Sequence, residues 1–90
     1  MKSIKQVAQA GTLESSDIMI TLSPADAGSG IEIELISPVL KQFGDEIKAV
    51  IRQTLLEWNL EDVKVHANDK GALDCTIEAR MTTAIERAIR

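Results

Sequence analysis

From Val39 to Trp58, apolar residues return every third or fourth position: Val39, Leu40, Phe43, Ile47, Val50, Ile51, Leu55 and Trp58, with Thr54 among them. Lys41, Asp45, Lys48, Arg52 and Glu57 fall mostly off that stripe. This spacing is the signature of an amphipathic helix. Ser37 and Pro38 predict its start, serine as N-cap and proline at the first helical position, and Asn59 predicts its stop. A helix with such a stripe in a chain of 90 residues must cover the face of something else, and that requirement constrains the fold more than any other feature.

The partner is legible on both sides of the helix. Ile18, Ile20 and Leu22 alternate with Met19 and Thr21, and Ile31, Ile33 and Leu35 alternate with Glu32 and Glu34. Both read as strands with one buried face. The breakers from Ser23 to Gly30 predict a loop between them, and the two strands are expected to pair as a hairpin with a floppy connection. Val63, Val65 and Ala67 alternate with Lys64 and His66 as a third short strand, and Asn68-Asp69-Lys70-Gly71 turns the chain. An extra strand near Gln6–Thr12 is compatible with the pattern. Leu73, Ile77, Met81, Ile85 and Ile89 then recur every four residues, predicting a second amphipathic helix from about residue 74, with Asp74 as its N-cap. Leu73, Cys75, Ile77 and Ala79 also alternate as a strand would, so residues 73–79 can be read either way. The expected fold is α+β: a two-layer sandwich of a small mixed β-sheet with two amphipathic helices on one face. Residues 1–90 are read as a single domain.

Composition narrows the function. Apolar residues are 44% of the chain but aromatics only 2%, namely Phe43 and Trp58, so there are no stacking platforms for nucleic-acid bases. A net charge of −4 runs against the Lys/Arg enrichment that phosphate backbones and anionic membranes require. Nucleic acid and membrane are therefore excluded as partners, and a basic protein surface is favoured. No apolar run approaches the roughly 20 residues of a bilayer-spanning helix. Lys2 and Lys5 are followed by no apolar signal region. A cytoplasmic protein is expected.

The groups capable of chemistry are few. His66, the only histidine, falls on the polar side of a short strand and lacks a nucleophile and an orienting acid. Cys75, the only cysteine, has Asp74 and Glu78 nearby rather than the positive surroundings that lower a thiol pKa. It is expected to be a buried or half-buried structural residue. Two such ligands are too few for zinc, so neither a catalytic residue nor a metal ligand set is predicted. Gly28-Ser29-Gly30 opens a strand and not a helix, which argues against a phosphate cradle. The run Gly11-Thr12-Leu13-Glu14-Ser15-Ser16-Asp17 is, by composition, a polar turn whose serines could simply cap backbone groups.

That run, with Asp17-Ile18-Met19-Ile20 after it, resembles the modification segment of the citrate lyase acyl carrier proteins, the gamma chains. Lys41-Gln42-Phe43-Gly44-Asp45 and Asn68-Asp69-Lys70-Gly71-Ala72-Leu73-Asp74-Cys75 resemble further landmarks of that family. The three blocks occur in the same order and span most of the chain.

The resemblance implies a carrier without catalysis of its own. The serine that matches the modified position is Ser15. Ser16, which stands where a small residue such as glycine is expected, is the second choice. The group implied there is 2'-(5''-phosphoribosyl)-3'-dephospho-CoA, joined through a phosphodiester and ending in a thiol that carries acetyl or citryl. Glu14 and Asp17 would then face basic partner surfaces, and a mobile segment at Gly11 would let the arm swing. The implied partners are the alpha (transferase) and beta (lyase) subunits of citrate lyase and a prosthetic-group transferase. The alternatives are the carrier of a malonate decarboxylase, and a small interaction or regulatory domain with no prosthetic group.

Overall fold

The alternating segments do form strands. A computed structural model describes residues 3–90; Met1 and Lys2, part of the polar N-terminal stretch, lie outside the described residues. Four strands, β1 (Ala8–Gly11), β2 (Ile18–Pro24), β3 (Ile31–Ile36) and β4 (Val63–Asp69), form one sheet in the order β1-β2-β4-β3. Two helices, α1 (Leu40–Glu57) and α2 (Asp74–Ala88), complete an α+β fold. β1–β2 and β2–β4 are antiparallel and β3–β4 is parallel, so the sheet is mixed.

The expected β2–β3 hairpin does not form. β4 lies between them, with Ile18 opposite Asp69 on one side and Ile31 opposite Val63 on the other. Val63, Val65 and Ala67 are fully buried, whereas β3 buries only Leu35 and exposes Glu32 and Glu34. The strand whose apolar face is fully buried takes a central position, and β3, with two exposed glutamates, takes the edge. Nor is the connection floppy. The Asp62 side chain accepts the N–H groups of Gly28 (3.1 Å) and Gly30 (2.9 Å), and Asp62 C=O accepts Ala25 N–H.

The helices cover one face of the sheet. α2 packs on β1 and β2, while α1 packs on β3 and against α2. Ile18, Ile20 and Leu22 meet Ile51, Leu55, Ile77, Met81 and Ile85 in a core where all are inaccessible to solvent. The second helix resolves residues 73–79 as helical from Asp74. Among the described residues no helix is long and apolar enough to cross a membrane.

The helix ends depart from expectation at their starts. Pro38 and Val39 form a turn before α1, and Ser37 serves that turn: its Oγ accepts Val39 N–H at 3.2 Å. Leu73, in extended backbone, occupies the N-cap position of α2, and Asp74 is the first helical residue rather than the cap. Its charge there still opposes the positive helix N-terminus. The stop of α1 is as predicted. Asn59 takes φ +56°, Leu60 N–H reaches Leu55 C=O and Asn59 N–H reaches Leu56 C=O, the pattern of a Schellman cap. Leu55 and Leu60, both buried, supply its apolar contact.

Candidate functional site

The polar run between β1 and β2 is built as a tight, braced turn. Glu14 C=O accepts Asp17 N–H at 3.1 Å, placing Ser15 and Ser16 at the two central positions. Ser16 has φ +65° while Ser15 does not share the left-handed region, the sign pattern of a type II turn. Glycine fits that second position without strain, which gives a physical reason for a small residue at 16. Ser15 is exposed at the apex.

Neighbours of Ser15 hold the turn from beneath. Thr12 Oγ1 accepts Glu14 N–H at 3.2 Å and donates to Asp17 Oδ2 at 2.7 Å. Ser16 N–H donates to Lys70 C=O at 2.8 Å, and Lys70 N–H donates to Asp17 C=O at 2.9 Å. These two bonds tie the turn to the β4–α2 connection. Asp17 also accepts Ile18 N–H at 2.7 Å, and Arg80 from α2 grips both its oxygens, Nε to Oδ1 at 3.0 Å and Nη2 to Oδ2 at 2.9 Å. The Arg80 hydrogen bond first, then those of Thr12 and Ile18, holds the Asp17 carboxyl well below the usual carboxylate range. The same pairing raises Arg80 further above its ordinary value.

Two expectations are therefore corrected. Asp17 does not face partner surfaces; it is buried at 9% exposure under the turn, leaving Glu14 as the exposed acid beside Ser15. Gly11 is not a swivel. It pairs with Met19 at φ +99°, and a Cβ there would overlap the Ile18 carbonyl oxygen. Its glycine is required by close approach of backbone.

The other candidates stay apart from this turn. His66 lies on the sheet face away from the helices, exposed, with Nδ1 3.7 Å from Glu34 of the neighbouring strand. Cys75 is exposed, contrary to the expectation of burial. On a helix it lies about 200° from Ile77, whereas on a strand it would have shared the buried face. Gly28 and Gly30 are held by Asp62 and serve the turn into β3. Among the described residues no group of three or more His, Cys, Asp or Glu is placed to hold a metal ion. Arg80 and the Lys70 backbone are the parts that sequence reasoning missed. Arg80 sits 63 residues from Asp17, and no spacing rule connects them.

The arrangement presents the Ser15 hydroxyl, which has no hydrogen-bond partner among the described residues, on a base fixed to the body of the protein. That fits covalent attachment of a group through oxygen.

Comparison with known proteins shows the family of the chain. The family described as "ACP: Malonate decarboxylase delta subunit (MdcD)" matches residues 5–88. A protein of Lacticaseibacillus casei (strain BL23) named citrate lyase acyl carrier protein is 61% identical over 85 residues, 94% of this chain and 82% of that one. Its namesake from Lactiplantibacillus plantarum (strain ATCC BAA-793 / NCIMB 8826 / WCFS1) is 58% identical over 86 residues, 96% of this chain and 88% of that one. Among solved structures, a chain of the Pseudomonas malonate decarboxylase hetero-tetramer in complex with malonate superposes with a TM-score of 0.78. It covers 92% of this chain and 84% of that chain, and at 18% identity it is a likeness of fold. With the family match covering residues 5–88 and relatives 58–61% identical over 94–96% of the chain, the chain belongs to the family of citrate lyase acyl carrier proteins.

Proposed function

We propose that this chain is the acyl carrier subunit of a citrate lyase, with residues 1–90 acting as one carrier domain and Ser15 as the attachment point. The observation that carries this reading is the turn itself: Ser15 is exposed at its apex while Thr12, Asp17, Lys70 and Arg80 fix its base. The group to be attached is 2'-(5''-phosphoribosyl)-3'-dephospho-CoA. When bound, it supplies a terminal thiol that carries acetyl or citryl as a thioester while citrate is cleaved to oxaloacetate and acetate. The residues of this chain hold and orient. They contribute no acid–base pair, and the alpha and beta subunits supply the catalytic groups. Tethering replaces diffusion of a free thioester by a high local concentration at two active sites in turn. The reading places the protein in the cytoplasm, with a prosthetic-group transferase as a further partner.

Mass spectrometry of the protein from its own host tests this. A covalent adduct of the arm's mass, mapped by peptide analysis to Ser15, is expected. Ser15→Ala should lose it and Ser16→Ala should keep it, with native-like denaturant melts for Ser15→Ala. An adduct on Ser16 overturns the assignment of the residue, and no adduct overturns the carrier reading.

The fold likeness to the malonate decarboxylase chain supports one alternative, a carrier for that decarboxylase. Reconstitution with citrate lyase alpha and beta subunits separates the two. Citrate cleavage restored by the modified chain supports the first reading, and its absence with malonate decarboxylation restored supports the second.

A further inference from the structure

The apolar stripe of α1 is not fully used by the core. Ile47 is 5% exposed, yet Phe43, one turn earlier on the same face, is 48% exposed. Leu73, before α2, is 70% exposed. Between them the first turns of α1 and α2 and the β4–α2 connection border an open groove of about 600 Å³, lined by Val39, Phe43, Ile47, Asp69, Leu73 and Cys75 among others. That is the size and the mostly apolar character of a small-molecule site. Asp69, 1% exposed, stiffens its wall, accepting Ser37 O–H at 2.7 Å and Ala72 N–H at 2.9 Å.

The groove adjoins the attachment turn. Gly71 also lines it, and the Ser16 N–H to Lys70 C=O bond of 2.8 Å places the Ser15 Cα within about 8 Å of the Gly71 nitrogen by ordinary bond geometry. An arm that serves two separate active sites is necessarily longer than that.

We propose that this groove is the resting site of the arm: between visits to the partner subunits, the distal pantetheine-type chain, short alkyl links joined by amides and ending in a thioester, lies against Phe43, Leu73 and Val39. The proposal rests on the carrier reading and adds a binding site to it. Binding there need not be strong. A tether this short holds its end at millimolar local concentration, so a millimolar site is already about half filled. The groove shelters the thioester from solvent and releases it when a partner subunit offers a better one.

Cys75, exposed on the lining, reports occupancy. The full chain is prepared without the arm and with the arm capped as the acetyl thioester, so that Cys75 is the single free thiol in each. Iodoacetamide alkylation is then followed by mass spectrometry. Alkylation should slow by about twofold in the arm-bearing chain, as for a site about half filled at millimolar local concentration. In Leu73→Ser and Phe43→Ala, both at exposed positions, the ratio of the two rates should return to near one. Equal rates with the adduct present overturn the resting site and leave the carrier reading standing. Slowing that appears only when an alpha or beta subunit is added overturns it too, and assigns the groove to that partner. If protein from the host carries no adduct at all, the carrier reading and this inference fall together.

Discussion

Ser16 shows how one backbone angle divides labour between adjacent serines. At φ +65° it occupies the position of the turn where a side chain costs about 1–2 kcal/mol and glycine costs little. Against the greater chain entropy that glycine loses on folding, Ser16→Gly should be stabilising by up to about 1 kcal/mol, read as a rise in denaturant midpoint, with the adduct still on Ser15. Beneath it, Asp17 makes a second, pH-dependent contribution. Its carboxyl ionises below its ordinary 3.8 in the folded chain, so between the two values the unfolded chain binds more protons and stability rises with pH. The contribution is whole above about pH 4 and is lost as pH falls through the lower folded value. Acid melts should show this loss in the native chain, and Asp17→Asn, less stable at neutral pH, should show less of it. In the sequence the exposed turn at Ser15 was legible because the run around it is polar and small. The Asp17–Arg80 grip was not, because Arg80 reads there as one more charge on the solvated side of a helix.

Elements were legible by period and illegible by neighbour. The 3.6-residue recurrence finds α1, and the helix termination at Asn59 follows from a residue that accepts φ +56°. Alternation finds β2, β3 and β4, but it reports only which face is buried, not which strand lies alongside. That is why a hairpin was expected where β4 intervenes. Sequential strands are neighbours in most sheets, about two-thirds of the time, and here the fully buried Val63, Val65 and Ala67 claim the centre instead. Periodicity also overstates the core of α1, since Ile47 and Phe43 look alike on the stripe. Ile47→Ala should cost about 2–5 kcal/mol through the cavity it leaves. Phe43→Ala, at a half-exposed position four residues away, should cost no more than about 1 kcal/mol. Equal shifts in paired denaturant melts would mean that the groove beside Phe43 belongs to the closed core.

At the scale of the whole molecule, the carrier is a rigid pedestal whose chemistry is borrowed. Its own charge of −4 suits it to basic partner surfaces and to docking that weakens as salt rises. The two ends of the described chain meet on this pedestal: Lys5 N–H donates to Ala88 C=O at 3.1 Å, and the Gln6 side chain donates to Arg87 C=O. The exposed loop at Ala27–Gly28 stands at the far end of β2 from the Ser15 turn, a strand length of about 20 Å away. Covalent order along the backbone is thus separable from spatial order around the serine. A circular permutant, with its old ends bridged by a short glycine linker and new ends opened between Ala27 and Gly28, should fold, melt cooperatively and accept the prosthetic group on Ser15. The modifying enzyme would then be reading a shape assembled from β1, β2, the β4–α2 connection and α2, and no longer a message written in one direction from the N-terminus.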